Sequence, residues 1–178
     1  MVYEDTILAS KEIMIDEITG MYNRDFYDIA LTREFYQAKQ EKGTFSIMLI
    51  KLNDYKNILS ILGEKKSSSI LSNLRDIIAS YTRDADTICT LHHDAFAVIM
   101  PDTAPDAALE TWKKIIGHFS AIRFIECKVQ LHGSITSYPH DARKIRVLID
   151  LTYSLLDKAG TANTESFSCA TKKEYIFN

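Results

Sequence analysis

The apolar positions of this chain change their spacing several times, and each change marks an element. From Arg24 to Lys42, Phe26, Tyr27, Ala30, Leu31 and Phe35 recur near helical spacing until Gly43 stops the run. This predicts a first long helix. Phe45-Ser-Ile-Met-Leu-Ile-Lys-Leu52 is a short, nearly continuous apolar run, the pattern of a central strand buried on both faces. After Asn53-Asp54 a brief helical turn reaches Gly63, and from Lys66 to Tyr81 the residues Ile70, Leu71, Leu74, Ile77 and Ile78 form one apolar stripe. That stripe predicts an amphipathic helix. Thr87 to Leu91 and Phe96 to Met100 read as strands joined by the four-residue loop His92-His93-Asp94-Ala95, and Pro101 ends the second. Asp106 to Phe119 is a third long helix, Lys128 to Ser137 a strand of mixed polarity, and Asp141 to Ala159 a fourth helix closed by Gly160. Residues 1–15 set Ile7, Leu8, Ile13 and Met14 among Lys and Glu without Gly or Pro, which suits a helical lead-in. The tail carries no readable period. Strands alternating with helices around a hairpin predict an α/β fold with a central sheet.

Composition narrows the class. With 178 residues and 46% apolar composition, the chain is sized for a single domain with its own hydrophobic core. Lys plus Arg number 21 against 24 Asp plus Glu, a net charge of -3. That balance offers no field to attract a nucleic-acid polymer or an anionic membrane. Cys89, Cys127 and Cys169 are odd in number and far apart, without the short pairings of metal sites or disulfide frameworks. They read as cytosolic thiols. Apolar runs are short, such as Ala95 to Met100, and Glu4 and Asp5 stand where a signal peptide would be basic and then apolar. A cytoplasmic location with no membrane segment in this chain is therefore expected. No internal repeat or Pro/Gly-rich linker divides it.

Four separated segments carry a resemblance. Asp16-Glu-Ile-Thr-Gly-Met-Tyr-Asn-Arg-Asp-Phe-Tyr27 is similar to the opening Asp-x-Leu-Thr-Gly-Leu-x-Asn-Arg-Arg-x-Phe signature of GGDEF domains, with Asp25 in place of the second Arg. Lys51-Leu-Asn-Asp-Tyr-Lys-Asn-Ile-Leu-Ser-Ile-Leu-Gly-Glu64 resembles, without a gap, the family segment Asp-Ile-Asp-x-Phe-Lys-x-Ile-Asn-Asp-x-Tyr-Gly-His. His92-His-Asp-Ala-Phe96 falls on the Gly-Gly-Asp-Glu-Phe motif itself, and Tyr138-Pro139 matches a later landmark. The resemblance spans about residues 16 to 160 and weakens at the end. It implies a palm-like fold of the nucleotide-cyclase type, with a mostly antiparallel five-stranded sheet, flanking helices and a β-hairpin. Residues 1–15 would then be the lead-in and 16–178 the domain.

The same resemblance implies that the chemistry of the family is lost. Diguanylate cyclases join two GTP molecules held on facing protomers, with metal bound by an Asp at the end of the buried strand and by an acid in the hairpin. Lys51 stands at the strand Asp, so an ammonium occupies the place of a cation ligand. Ala95 replaces the hairpin Glu, His92 and His93 replace both glycines, and Asp94 is the one hairpin acid kept. At the positions resembling the guanine readers, Leu59 replaces Asn, Ser68 replaces Asp, and Ser67 replaces the Gly before it. Hydrogen-bonding sites rarely tolerate such losses. Lys56 survives from the phosphate-contacting set, but a lone Lys also reads as a solvated charge. The expectation is no catalytic residue, no cofactor and no metal.

What the resemblance leaves is an Arg-x-x-Asp five residues before the hairpin, here Arg83 and Asp86, the frame of the family's inhibitory cyclic di-GMP site. Arg offers a planar fork to phosphate or to the guanine edge, and Lys114 on the third helix stands where a further basic residue often helps. Arg and Asp at this spacing can equally pair with one another. His92, His93 and Asp94 are the other metal candidates, against solvated loop histidines. The cluster Arg143, Lys144 and Arg146 reads as a solvated face. Two functions follow: a cyclic di-GMP receptor acting through Arg83 and Asp86, or a nucleotide-independent module that dimerises or docks a protein partner. Residual GTP binding through Lys56 and Asp94 is a third.

Overall fold

The fold was read from a computed structural model, which describes residues 14–122, 124, 129–161, 166–169 and 175–176. Helix α1, Arg24–Glu41, begins where Asn23 accepts a hydrogen bond from the Phe26 amide, and it ends on Lys42 in the left-handed conformation. Strand β1, Phe45–Leu52, runs through the middle of the molecule. The helical segment α2, Tyr55–Tyr81, consists of the expected short turn and the amphipathic stripe meeting at a kink, where Gly63 (φ 75°, ψ 170°) leaves the helical conformation in a region that suits glycine. β2 (Thr87–His92), β3 (Ala95–Pro101), α3 (Pro105–Ala121), β4 (Leu131–Tyr138), α4 (Ile145–Gly160), β5 (Ser166–Cys169) and β6 (Tyr175–Ile176) complete the order.

The sheet runs β2-β3-β1-β4-β5-β6. Every pairing is antiparallel except β4 with β5. The count is six strands rather than five because the tail, unreadable by periodicity, adds two short strands to the four that periodicity reads, β5 beside β4 and β6 at the edge. Alternation in β1 sends Met48, Ile50 and Leu52 to one face, against α2, α3 and Trp112, and Ile47 and Leu49 to the other, against Leu31, Phe35 and Leu148. Both faces are covered, which is why β1 is written as a nearly unbroken apolar run.

Three local expectations change. The hairpin loop shortens from four residues to the pair His93-Asp94, since His92 and Ala95 are paired strand residues and a register shift lies between Thr90 and His92. Helix α4 starts at Ile145, because the Asp141 carboxylate turns back to accept the Ser137 amide at 2.7 Å. Arg143 and Lys144 therefore precede the helix, and Arg146 alone lies within it. The strand expected from Lys128 begins at Leu131. Lys128, Cys127 and the lead-in up to residue 13 lie outside the described residues. Among the described residues no helix is long and apolar enough to cross a membrane.

Candidate functional site

The end of β1, the hairpin and the start of α2 converge. Lys51 is the one residue of β1 that reaches partly into solvent, and it is paired across the sheet with Ala95 on one side and His132 on the other. The Leu52 amide donates to the Asp94 carbonyl at 2.9 Å, drawing the hairpin turn over the strand end. That closure sets Lys51 Nζ 3.7 Å from Asp94 Oδ2. Beyond it, Asp54 takes the left-handed conformation, and its carbonyl accepts the Asn57 and Ile58 amides to start α2.

These elements and the end of α4 enclose an open cavity of about 390 Å³, lined by Lys51, Lys56, Asp94, His132, Asp157 and Gly160 among others. His132 is 5% exposed. It fits beneath α4 because Gly160 has no side chain: a Cβ there would lie 3.2 Å from His132 Nε2. Burial, and after it the Lys51 charge, push the imidazole below its ordinary pKa, while Asp94 works the other way. Burial, then Asp94 and Glu64, raise the Tyr55 phenol.

The three hairpin candidates do not converge. His92 Nε2 accepts from Arg24 Nη1 at 3.1 Å, Asp94 faces Lys51, and His93 is exposed. No group of His, Cys, Asp and Glu among the described residues is arranged to hold a metal ion. Ala95 is buried. On α2, Leu59 is exposed, Ser67 donates to the Gly63 carbonyl at 2.8 Å, and neither Leu59 nor Ser68 lines the cavity.

Arg83 and Asp86 form a second, separate constellation. The Asp86 carboxylate, 4% exposed, accepts from the Arg83 backbone amide (2.8 Å), Nε (3.2 Å) and Nη2 (2.7 Å). Arg83 Nη2 also donates to the Pro101 carbonyl (2.7 Å) and to Thr103 Oγ1 (2.8 Å). The hydrogen bond to Asp86 holds the guanidinium above even its usual high pKa. Arg83 remains 54% exposed, so one side of the fork still faces solvent. Lys114 is exposed on α3.

His132 and Arg24 escaped sequence reading. A histidine in a strand of mixed polarity gives no sign of which strand lies beside it; only the register that pairs His132 with Lys51 reveals it.

The diguanylate cyclase GGDEF domain model matches residues 13–166. Diguanylate cyclase DgcS of Shewanella oneidensis is 30% identical over 100 residues, 56% of this chain and 34% of that protein. The chain thus spans about a third or less of the curated relatives it matches. Among solved structures, the isolated GGDEF domain of TpbB from Pseudomonas aeruginosa superposes with a TM-score of 0.80 at 25% identity, covering 88% of this chain and 94% of that one. The coiled coil and GGDEF domain of DgcB from Caulobacter crescentus, in complex with c-di-GMP, shares the fold at a TM-score of 0.81 and 14% identity, over 94% of this chain and 91% of that one. A family match across most of the chain, on a fold that sets the expected strand end against the expected hairpin, shows that this chain belongs to the diguanylate cyclase GGDEF domain family.

Proposed function

We propose that this GGDEF domain does not make cyclic di-GMP and serves as a regulatory module in cyclic di-GMP signalling. The observation that carries the proposal is the Lys51–Asp94 ion pair. A metal placed between the strand end and the hairpin would meet an ammonium in contact with the one acid the hairpin keeps. Two like unit charges ~4 Å apart cost about 4 kcal/mol at a protein surface, and a divalent ion doubles that. The missing carboxylates at Lys51 and Ala95 remove the offsetting attraction.

Arg83 supports a receptor role, since its half-exposed guanidinium still presents donors and Lys114 adds positive charge on α3. A ligand there engages Arg83 rather than Asp86, whose carboxylate is buried and accepts three hydrogen bonds from Arg83. That self-pairing favours the second reading, a module that binds no nucleotide and docks or dimerises through its surface.

Calorimetric titration with cyclic di-GMP separates the two, with Arg83→Ala as control. Heat that disappears in the variant supports the receptor. No heat with either protein leaves the interaction module. Conversion of GTP to cyclic di-GMP with magnesium would overturn the non-catalytic proposal itself.

A further inference from the structure

We infer that the outward face of α1 is the docking surface of the chain's own lead-in, residues 1–13, which lies along it as an antiparallel amphipathic helix.

α1 is apolar on two sides. Tyr27, Ala30, Leu31, Phe35 and Ala38 face the sheet and are buried. A second row, Tyr22, Phe26, Ile29, Arg33 and Tyr36, starts just before the helix and follows spacings of four, three, four and three residues. That is the seam spacing by which one helix receives another. Tyr22 and Phe26 stack with ring centroids 3.8 Å apart, and Ile15 pairs with Tyr22 at the foot of the row. Yet Tyr22, Ile29 and Tyr36 remain 40%, 55% and 57% exposed. Single exposed apolar side chains are ordinary, whereas an aligned row of them marks a face that takes a partner.

The entry segment delivers that partner. The Asn23 amide donates to the Met14 carbonyl and the Asp16 amide to the Met21 carbonyl, each at 2.8 Å. The chain therefore doubles back, and Met14 sits beside the N-cap of α1. Traced backward from Met14, the lead-in starts at the first turn of α1 and follows it toward Tyr36 in the antiparallel sense. Its thirteen residues cover about 20 Å as a helix, against roughly 15 Å from Phe26 to Tyr36. The length is enough to cover the row without an intervening loop.

The pattern of the lead-in matches the row in shape and in charge. Tyr3, Ile7, Ser10 and Met14 repeat at four, three and four residues, and Glu4 and Lys11 flank them on one side. Counted outward from the Met14–Asn23 hydrogen bond at equal rise, Ile7 comes to the level of Ile29, Glu4 to that of Arg33, and Lys11 to the turn that carries Asp25. Both charge pairs are of opposite sign, and flanking charges of this kind set the orientation of paired helices. Laid the other way round, Lys11 would approach Arg33 and Glu4 would approach Asp25. The occupant is thus the chain's own lead-in rather than a second copy, whether or not the domain binds a nucleotide.

The test is NMR on the 178-residue chain carrying ¹³C at its isoleucine methyls. Expected is a nuclear Overhauser contact between the Ile7 and Ile29 methyls that does not change on dilution. Ile29→Ser should speed amide exchange in residues 7–12 about tenfold, as when a docked helix loses one apolar contact. Val147→Ser, at an exposed apolar position of α4, should leave that exchange unchanged. Glu4→Arg should speed it roughly threefold, and adding Arg33→Glu should restore it. Absence of the Ile7–Ile29 contact in the unaltered chain overturns the inference, and so does a contact found only between differently labelled chains, which would make the row a dimer seam. Equal exchange in Ile29→Ser and the unaltered chain overturns it as well.

Discussion

At the residue scale, one substitution reorganises its surroundings. Lys51 takes Asp94 as its partner and helps to hold His132 neutral across the β1–β4 ladder. The sign of the resulting pH dependence follows from the direction of that shift. In the unfolded chain His132 titrates near its ordinary value of 6.5, and in the fold its pKa lies lower. Between the two values the unfolded state binds more protons, so the stabilising contribution is complete above about pH 6.5 and is lost as pH falls toward the folded value. Urea denaturation from pH 7.5 to 5 in a buffer without phosphate should show stability declining through this window. In His132→Gln the decline should be shallower. An identical slope in both proteins would place the acid sensitivity elsewhere.

At the scale of elements, what was legible in the sequence depended on whether local spacing decided the outcome. α1, β1, the stripe of α2 and both hairpin strands follow from periodicity, because each element buries the face its own residues write. The start of α4 was not legible, because a carboxylate-to-amide bond from Asp141 to Ser137 competes with helical continuation. Of the candidate site, the chemistry of Lys51 and the pairing of Arg83 with Asp86 were readable. The place of His132 was not, since it needs sheet register. A glycine contrast shows the same division. Gly133 on β4 looks like an ordinary strand glycine, yet a Cβ there would lie 2.6 Å from Trp112 Cζ3 and 2.8 Å from the Leu49 carbonyl oxygen. Trp112 is fully buried and the carbonyl is backbone of the central strand, so neither yields readily. Gly133→Ala should therefore destabilise by about 1–3 kcal/mol, as overpacking does. Gly117, exposed on α3 with nothing within 4 Å of its missing Cβ, should go the other way. Gly117→Ala should gain roughly 0.5–1 kcal/mol from helix propensity. Chemical denaturation of both variants checks the pair, and a stable Gly133→Ala would mean that β4 can move away from α3.

At the scale of the whole molecule, the segment that enters the domain is fastened to both the sheet and a helix. Asp16 Oδ1 accepts from the Thr19 amide and hydroxyl, each at 2.8 Å, closing a turn that buries Thr19. The Thr19 and Thr90 hydroxyls are 2.6 Å apart, and Arg75 Nη1 donates from α2 to the Thr19 carbonyl at 2.8 Å. The Thr90 amide donates to the Tyr22 carbonyl at 2.7 Å, so the entry segment lies against the edge of β2. β2 runs directly into the hairpin, where His92 meets Arg24 at the start of α1. The entry segment is thus connected to the hairpin through one strand, β2, whose Cys89 and Leu91 are themselves buried in the core. Thr19→Val keeps the shape and removes the hydroxyl bonds, leaving the buried Thr90 hydroxyl and Asp16 each short of a partner. The expected cost is about 1–3 kcal/mol. Hydrogen exchange discriminates where that cost falls. If the entry segment is an independent latch, the Thr90 and Asn23 amides lose protection while the amides of β1 keep theirs, because local opening follows local contacts. Equal loss in β1 would instead make the latch part of the global fold, and a signal arriving from that end would have to act on the stability of the domain as a whole.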